Sequence, residues 1–292
     1  MTSSSPGSAD ESGMILINVL LFVAIASGIL LLMISAEDGA LDRSLKMREA
    51  ARAQAITQGA ESSAIVALRR DVLVAPDTDN AAEPWAALAE KGAPIEGGSF
   101  DLSIADAQSR FNVNLLMADD PAGITMLTRI TTAAGIDATE IPKAIDLLRR
   151  IGPIFDLRPL RLAGLSDEQY GRLTMLITAL PYGARINLNA VSEPMLTVLL
   201  NDAPAAHELI AWRNRQGFLT QSDFYARQLT IPPNSGFTSD LFWIRTRVRI
   251  GGTSQQRTSL LSRRRGSDQQ VAVAAIGRWY GGSPPVQAPP LP

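Results

Sequence analysis

The chain is 292 residues long and 46% hydrophobic, enough for one large or two modest domains beyond an anchor. Its formal net charge of −2 excludes a global basic field that would draw in nucleic acid. The lack of cysteine removes disulfides, thiolate catalysis and Cys-ligated zinc together, and a single histidine, His207, cannot build a His-rich metal site.

In chain order, residues 1–13 carry Asp10 and Glu11 but no Lys or Arg, and end at Gly13. Directly behind, 14–34 is free of charge, with only Asn18 and Ser27 interrupting its apolar character. As a helix this run is roughly 31 Å long, close to the roughly 30 Å hydrocarbon core of a bilayer. A cleaved secretory signal needs a basic start, a shorter core and a small-residue cleavage site. The sequence therefore predicts a retained membrane span. Arg43, Lys46, Arg48 and Arg52 all follow the span, and the positive-inside rule taken literally keeps the C-terminal part in the cytoplasm.

Segment 36–70 has no proline, many alanines, and six basic and five acidic side chains. Leu41, Leu45, Ala51, Ala55, Gly59, Ile65 and Leu68 sketch an apolar stripe. One continuous helix of about 55 residues, over 14–70, is expected, with a hinge at 35–39 as the alternative.

Residues 76–98 are rich in Ala, Pro, Asp and Gly and read as loop with one short helix near 85–91. Residues 99–104 alternate apolar and polar, the period of a half-buried strand. From 106 to about 235 apolar clusters such as Ile124, Met126, Leu127 and Ile130 predict helices. In 241–250, one strand face carries Phe242, Ile244, Thr246, Val248 and Ile250, the other Leu241, Trp243, Arg245, Arg247 and Arg249. Two more strands are expected at 257–264 and 270–280, and 281–292 reads as a Pro-rich tail without core potential. A helical block between strands that would otherwise pair implies an insertion into an α/β domain.

Inside that block the sequence echoes itself. Phe111-Asn112-Val113-Asn114-Leu115-Leu116 matches Ile186-Asn187-Leu188-Asn189-Ala190-Val191, and each is followed by a Gly-containing turn with phenylalanine, at Gly152–Phe155 and Gly217–Phe218. An Asn-x-Asn pair suits a helix start, because its amides accept from unpaired backbone donors. Two related helical subdomains are expected.

These residues resemble minor pseudopilin K of type II secretion systems, over nearly everything from Gly13 to Tyr280. The resemblance is carried by Gly13 before Met14-Ile15-Leu16-Ile17-Asn18, by Asp106 to Leu115, by Ile186 to Ala190, by Gly217 to Phe224 and by the terminal strands. It implies an α+β, pilin-like fold: a long N-terminal transmembrane helix and a small antiparallel sheet, interrupted by a large all-α insert of two SAM-like or helix-hairpin-helix-like subdomains. The implied divisions are a prepilin leader (1–13), the helix (14–70), the first part of the pilin-like domain (71–105), the insert (106–180 and 181–235), the terminal strands (236–281) and the tail (282–292).

The same resemblance implies that prepilin peptidase cuts between Gly13 and Met14, although Asp10, Glu11 and Ser12 replace the usual basic residues before the glycine. Asn18 then occupies position five of the mature chain, where most pilins have glutamate and the K subunit lacks it. That carboxylate would pair with a neighbour's N-terminal amine inside the membrane, and an unpaired charge there is costly. A subunit at a fibre tip has no neighbour above to satisfy. Implied partners are minor pseudopilins I and J, the major pseudopilus subunit and the inner membrane, with the C-terminal part periplasmic, no enzyme activity and no nucleic acid. Some family members bind calcium. Asp101, Asp106, Asp119 and Asp120 offer oxygen ligands, but their spacing matches no EF-hand loop, so no ligand is assigned.

Two rivals stand beside this reading. Residues 186–224 resemble the helix-hairpin-helix segment of competence DNA receptors, with Trp212, Arg213 and Arg215 as candidate contacts. The stretch that would form the phosphate-gripping hairpin, 200–205, has no glycine, an acidic Asp202 and a donor-less Pro204. An anchored hydrolase would have to use His207, which reads as an ordinary helix side chain. Neither G-x-G-x-x-G nor a P-loop motif occurs.

Overall fold

The computed structural model describes residues 8–118, 120–181, 183–265 and 270–292, and the chain divides into two units, Met1–Arg52 and Ala53–Pro292. The first seven residues of the expected leader, and Asp119, lie outside the described residues.

The first unit is helical. Helix α1 (Ser8–Val74) runs for 67 residues, starting earlier and ending later than the sequence suggested. The hinge alternative at 35–39 does not occur: the helix is continuous there, and the Ser35 hydroxyl donates back to the Leu31 carbonyl at 2.9 Å. Every residue of 14–34 is exposed, its large apolar side chains by 52–72%. Such a surface needs a lipid or protein covering.

In the second unit the remainder of α1 lies on a sheet. The buried face is Ala53, Thr57, Ala60, Ala64, Leu68 and Val72, which corrects the expected stripe: Ala55 and Gly59 are exposed and Ile65 only half-buried. The stripe was misphased because half of the true face is alanine and it also holds an acid, Glu61. Small side chains let helix and sheet approach closely. The acid, Glu61, is matched by Arg278 (2.8 Å), Arg257 (3.3 Å) and the Ser259 hydroxyl. Burial raises the Glu61 pKa, but these partners outweigh it and hold the carboxyl below its usual range. The helix ends just before Pro76, which disfavours helical backbone at the preceding residue.

Strands β1 (Glu90–Ile95) and β2 (Gly98–Asp106) follow a one-turn 3-10 helix at Ala86–Leu88. The sequence read β1 as loop and helix because Glu90-Lys91-Gly92-Ala93-Pro94-Ile95 holds a single strand former, Ile95. It is an edge strand, where a proline is tolerated. At the turn, Gly98 faces Ile250 so closely that a Cβ would lie 1.7 Å from the Arg249 carbonyl oxygen. Gly98→Ala is therefore expected to cost about 3 kcal/mol by overpacking, read as a lowered urea midpoint.

The block that follows contains β3 (Phe111–Asn112), α2 (Pro121–Ala133), α3 (Ile141–Ile151), α4 (Asp167–Thr174), β4 (Ile177–Thr178), β5 (Ile186–Asn187), α5 (Glu193–Leu200), α6 (Ala203–Gln216), α7 (Gln221–Tyr225) and β6 (Ser235–Gly236). It is predominantly but not wholly helical: β3 pairs with β4 and β5 with β6, both parallel and two residues long. One continuous apolar core runs through it from Phe111 to Phe224, so the two repeats share their interior.

Strands β7 (Leu241–Ile250), β8 (Thr253–Arg265) and β9 (Val271–Tyr280) complete a five-stranded antiparallel sheet in the order β1-β2-β7-β8-β9. The two faces of β7 fall as the alternation predicted. Phe242 and Ile244 join Leu68 and Trp85, and Val248 and Ile250 join Ala53, on the helix side. Leu241 and Trp243 join Leu180 and Leu260 on the other. The C-terminal tail contradicts its expectation. Gln287 is 4% exposed and donates to the carbonyls of Phe155 and Ala179, both at 3.0 Å, while Arg245 donates to the Pro289 carbonyl at 3.1 Å. Backbone carbonyls and one amide seat it, a signal that composition does not carry.

Candidate functional site

Gly13 and Met14 lie within α1, and Asn18, four residues after Met14, shares its helix face. Met14 and Asn18 are both exposed, so the amide is presented to whatever packs beside the start of the apolar run.

The two Asn-x-Asn motifs do more than start helices. In the first, Asn112 accepts from the Asn114 N–H at 3.2 Å, opening a 3-10 helix at Val113–Met117. In the second, Asn187 accepts from the Asn189 N–H at 3.0 Å. The second asparagine of each pair then clamps a distant residue by both backbone groups. Asn114 accepts from the Ile154 N–H (3.0 Å) and donates to the Ile154 carbonyl (2.8 Å). Asn189 accepts from the Leu219 N–H (2.6 Å) and donates to the Leu219 carbonyl (3.1 Å). Ile154 and Leu219 each lie two residues after the glycine of the echoed turn, Gly152 or Gly217, and both glycines have positive φ. The repeat is thus a repeat of hydrogen-bond geometry.

The second motif also enters a buried polar junction where α1, the loop after it, β2, β5 and β8 meet. Arg263 on β8 is its centre: Nη1 meets Asp71 Oδ2 at 3.0 Å, and Nη2 pairs with Asp79 and donates to the Ser239 carbonyl at 2.7 Å. The guanidinium lies 4.7 Å from the Phe242 ring centre. Asp79 also accepts from the Ser239 N–H at 2.7 Å. Asp106, closing β2, accepts from the Ser239 hydroxyl (2.6 Å), the Asn187 amide (2.7 Å) and the Gln108 N–H (2.7 Å). Gln108 in turn accepts from Asp240 and Leu241 and donates to the Arg185 carbonyl. Side chains here thus tie Asp106 and Gln108, where the chain enters the helical block, to Ser239, Asp240 and Leu241, where it leaves.

Asp71, Asp79 and Glu83 bring carboxylate oxygens within 4.8 Å of one another. Burial pushes Asp79 up to about 6 and Asp106 up to about 6, and raises Asp71 and Glu83 as well, in each case by desolvating the charged form. An acid whose folded-state pKa exceeds its unfolded value binds more protons when folded. Its stabilisation is present at low pH and is lost as pH rises through about 6. Acidification from pH 7 to 5 is therefore expected to raise the urea midpoint of this protein; an unchanged or falling midpoint contradicts the assignment.

No profile of a known protein family matches the chain. Individual proteins do. It is 26% identical to type II secretion system protein K of Pseudomonas aeruginosa over 317 residues, covering 94% of this chain and 95% of the relative. It is 29% identical to type II secretion system protein K of Pectobacterium carotovorum, covering 77% and 82%. Both relatives carry the name type II secretion system protein K, and the likeness to the first runs over nearly the whole of both chains. A chain from the crystal structure of the GspK-GspI-GspJ complex of enterotoxigenic Escherichia coli shares its fold, with a TM-score of 0.64 at 18% identity over 82% of this chain and 100% of that one.

Of the aspartates considered for calcium, the described ones, Asp101, Asp106 and Asp120, are engaged in three separate places. Asp101 in β2 is paired with Arg247 of β7 at 2.8 Å and accepts from the Gly92 N–H; burial raises its pKa, but these partners hold it below the usual range. Asp106 belongs to the junction, and Asp120 caps α2 through the Ala122 N–H at 3.0 Å. Of the three contacts named for the DNA-binding rival, one is turned away. Arg213 points inward and donates to the carbonyls of Leu188, Asn189 and Val191, while Arg215 and Arg227 lie against Trp212. In the hairpin the Ala205 N–H is taken by the Asp202 carboxylate, which would repel a phosphate. His207 is exposed and pairs with Glu193 at 2.9 Å. Sequence reasoning missed Arg263, Asp71 and Asp79. Arg263 sits in an Arg-Arg-Arg run that reads as solvated, and its sole outward signal is its placement next to apolar Leu260 and Leu261 in a strand.

Proposed function

We propose that this protein acts as the minor pseudopilin K of a type II secretion system, working by packing rather than by bond chemistry. The observation that carries this is likeness over 94% of the chain to a relative of that name, spanning anchor, insert and sheet alike. The exposed apolar run 14–34 holds the protein in the inner membrane, and the second unit stands on the periplasmic side. Likeness to the K relatives outweighs the basic residues that argue for the opposite orientation. An alkaline phosphatase fusion at the C-terminus should be active and a green fluorescent fusion dark; the reverse pattern rejects this topology.

Prepilin peptidase would release a mature chain beginning at Met14, with Asn18 at position five, and intact-mass analysis of membrane-extracted protein reads the cut directly. The solved complex with the same fold contains GspK, GspI and GspJ. By that likeness the partners here are minor pseudopilins I and J, with this subunit at the tip of the pseudopilus and the Asn-clamped repeats, helix-hairpin-helix-like in design, crowning it. Co-expression with the cognate I and J subunits, mild detergent extraction and capture on a tagged copy should recover a three-protein complex. Recovery of the tagged chain alone, with all three expressed, would count against the reading.

A further inference from the structure

We propose that the outer edge of β9, over Val271–Ala275, pairs through its backbone with an extended acidic strand of a partner subunit. The partner's identity rests on the pseudopilin reading, and the surface goes beyond it.

The sheet has two edges, and they are built differently. Edge β1 carries the devices that deter pairing: Pro94, a register shift between Glu90 and Ala93, and the charges of Glu90, Lys91 and Glu96. Edge β9 carries none of these over Val271-Ala272-Val273-Ala274-Ala275, which holds regular register with β8 until the shift that leaves out Ile276. Among the described residues no strand pairs with its outer side. An uncharged, proline-free edge of this kind is a template for another strand.

Beside this segment lies a groove of about 700 Å³ lined by Val66, Arg69, Arg70 and Leu73 of α1 with Val271 and Ala272. Leu73 is 77% exposed and Val66 43%, so the groove offers apolar contact for alternate side chains of an incoming strand. Arg69 and Arg70 are exposed at its rim. They call for carboxylates on the occupant. A second copy of this chain brings an edge segment with no acid, so self-pairing leaves these arginines unanswered. The occupant is a different chain, alternating apolar and acidic residues.

The test uses the full chain co-expressed with the cognate I and J subunits and extracted in mild detergent. Hydrogen exchange of amides 271–275 should slow by about tenfold or more in the complex relative to the free chain. The double substitution R69E/R70E should lower partner recovery about tenfold without shifting the urea midpoint, whereas Ala93→Lys on the guarded edge should leave recovery unchanged. A complex that forms with the amides of 271–275 exchanging as in the free chain overturns the edge assignment and leaves the pseudopilin reading standing. Absence of any complex with wild-type protein overturns both. Exchange is read on the unmodified chain, so the outcome holds even if a variant folds poorly.

Discussion

Replacing Arg263 by alanine is expected to cost about 3–5 kcal/mol, the range for removing one partner of a buried ion pair. The loss comes from what is left behind. Asp71 and Asp79, 5% and 1% exposed, would face each other and Glu83 with no cation between them, and the Ser239 carbonyl would lose a donor. The measurement is the urea midpoint of detergent-solubilised full chain at pH 7. The effect should shrink at pH 5, where protons replace the missing guanidinium. Asp79→Asn in the Arg263→Ala background should restore part of the loss, and additivity of the two changes would show that they do not interact.

The second large effect is expected at Asn189. Its removal leaves the Leu219 N–H and carbonyl, both inside the protein, without their partner. Two unsatisfied buried backbone groups cost about 2–4 kcal/mol together. Asn189→Asp is the sharper variant, because it keeps the shape and the acceptor but turns an oxygen toward the Leu219 carbonyl. Asn114→Ala should behave alike, since Asn114 holds Ile154 in the same two-way grip. A midpoint shift below half of that predicted at both sites would mean the clamps contribute geometry without stability.

Elements with a strong internal period were legible. Helix α1 and strands β7 to β9 follow from an unbroken charge-free run and from two-residue alternation, as in Phe242 and Ile244 against Leu241 and Trp243. What failed were features whose reason lies far away in sequence. Strand β1 is poor in strand formers because it sits at an edge. The packed face of α1 is poor in large apolar side chains because the sheet lies close to it. Asn112, Asn114 and Asn189 were recognised as a repeated motif, yet each grips the N–H and carbonyl of a distant residue, Leu180, Ile154 and Leu219 in turn, beyond the reach of any local pattern. Gln287 looked like tail for the same reason.

Strands β2 and β7 are neighbours in the sheet, but the whole helical block separates them along the chain. Closing so long a loop is entropically expensive until the block has shortened it. The block has its own continuous interior. Early collapse of the block is therefore expected to bring Asp106 and Leu241 to one place before the central pair of strands zips. The expected maturation of the head runs from the middle of the polypeptide outward.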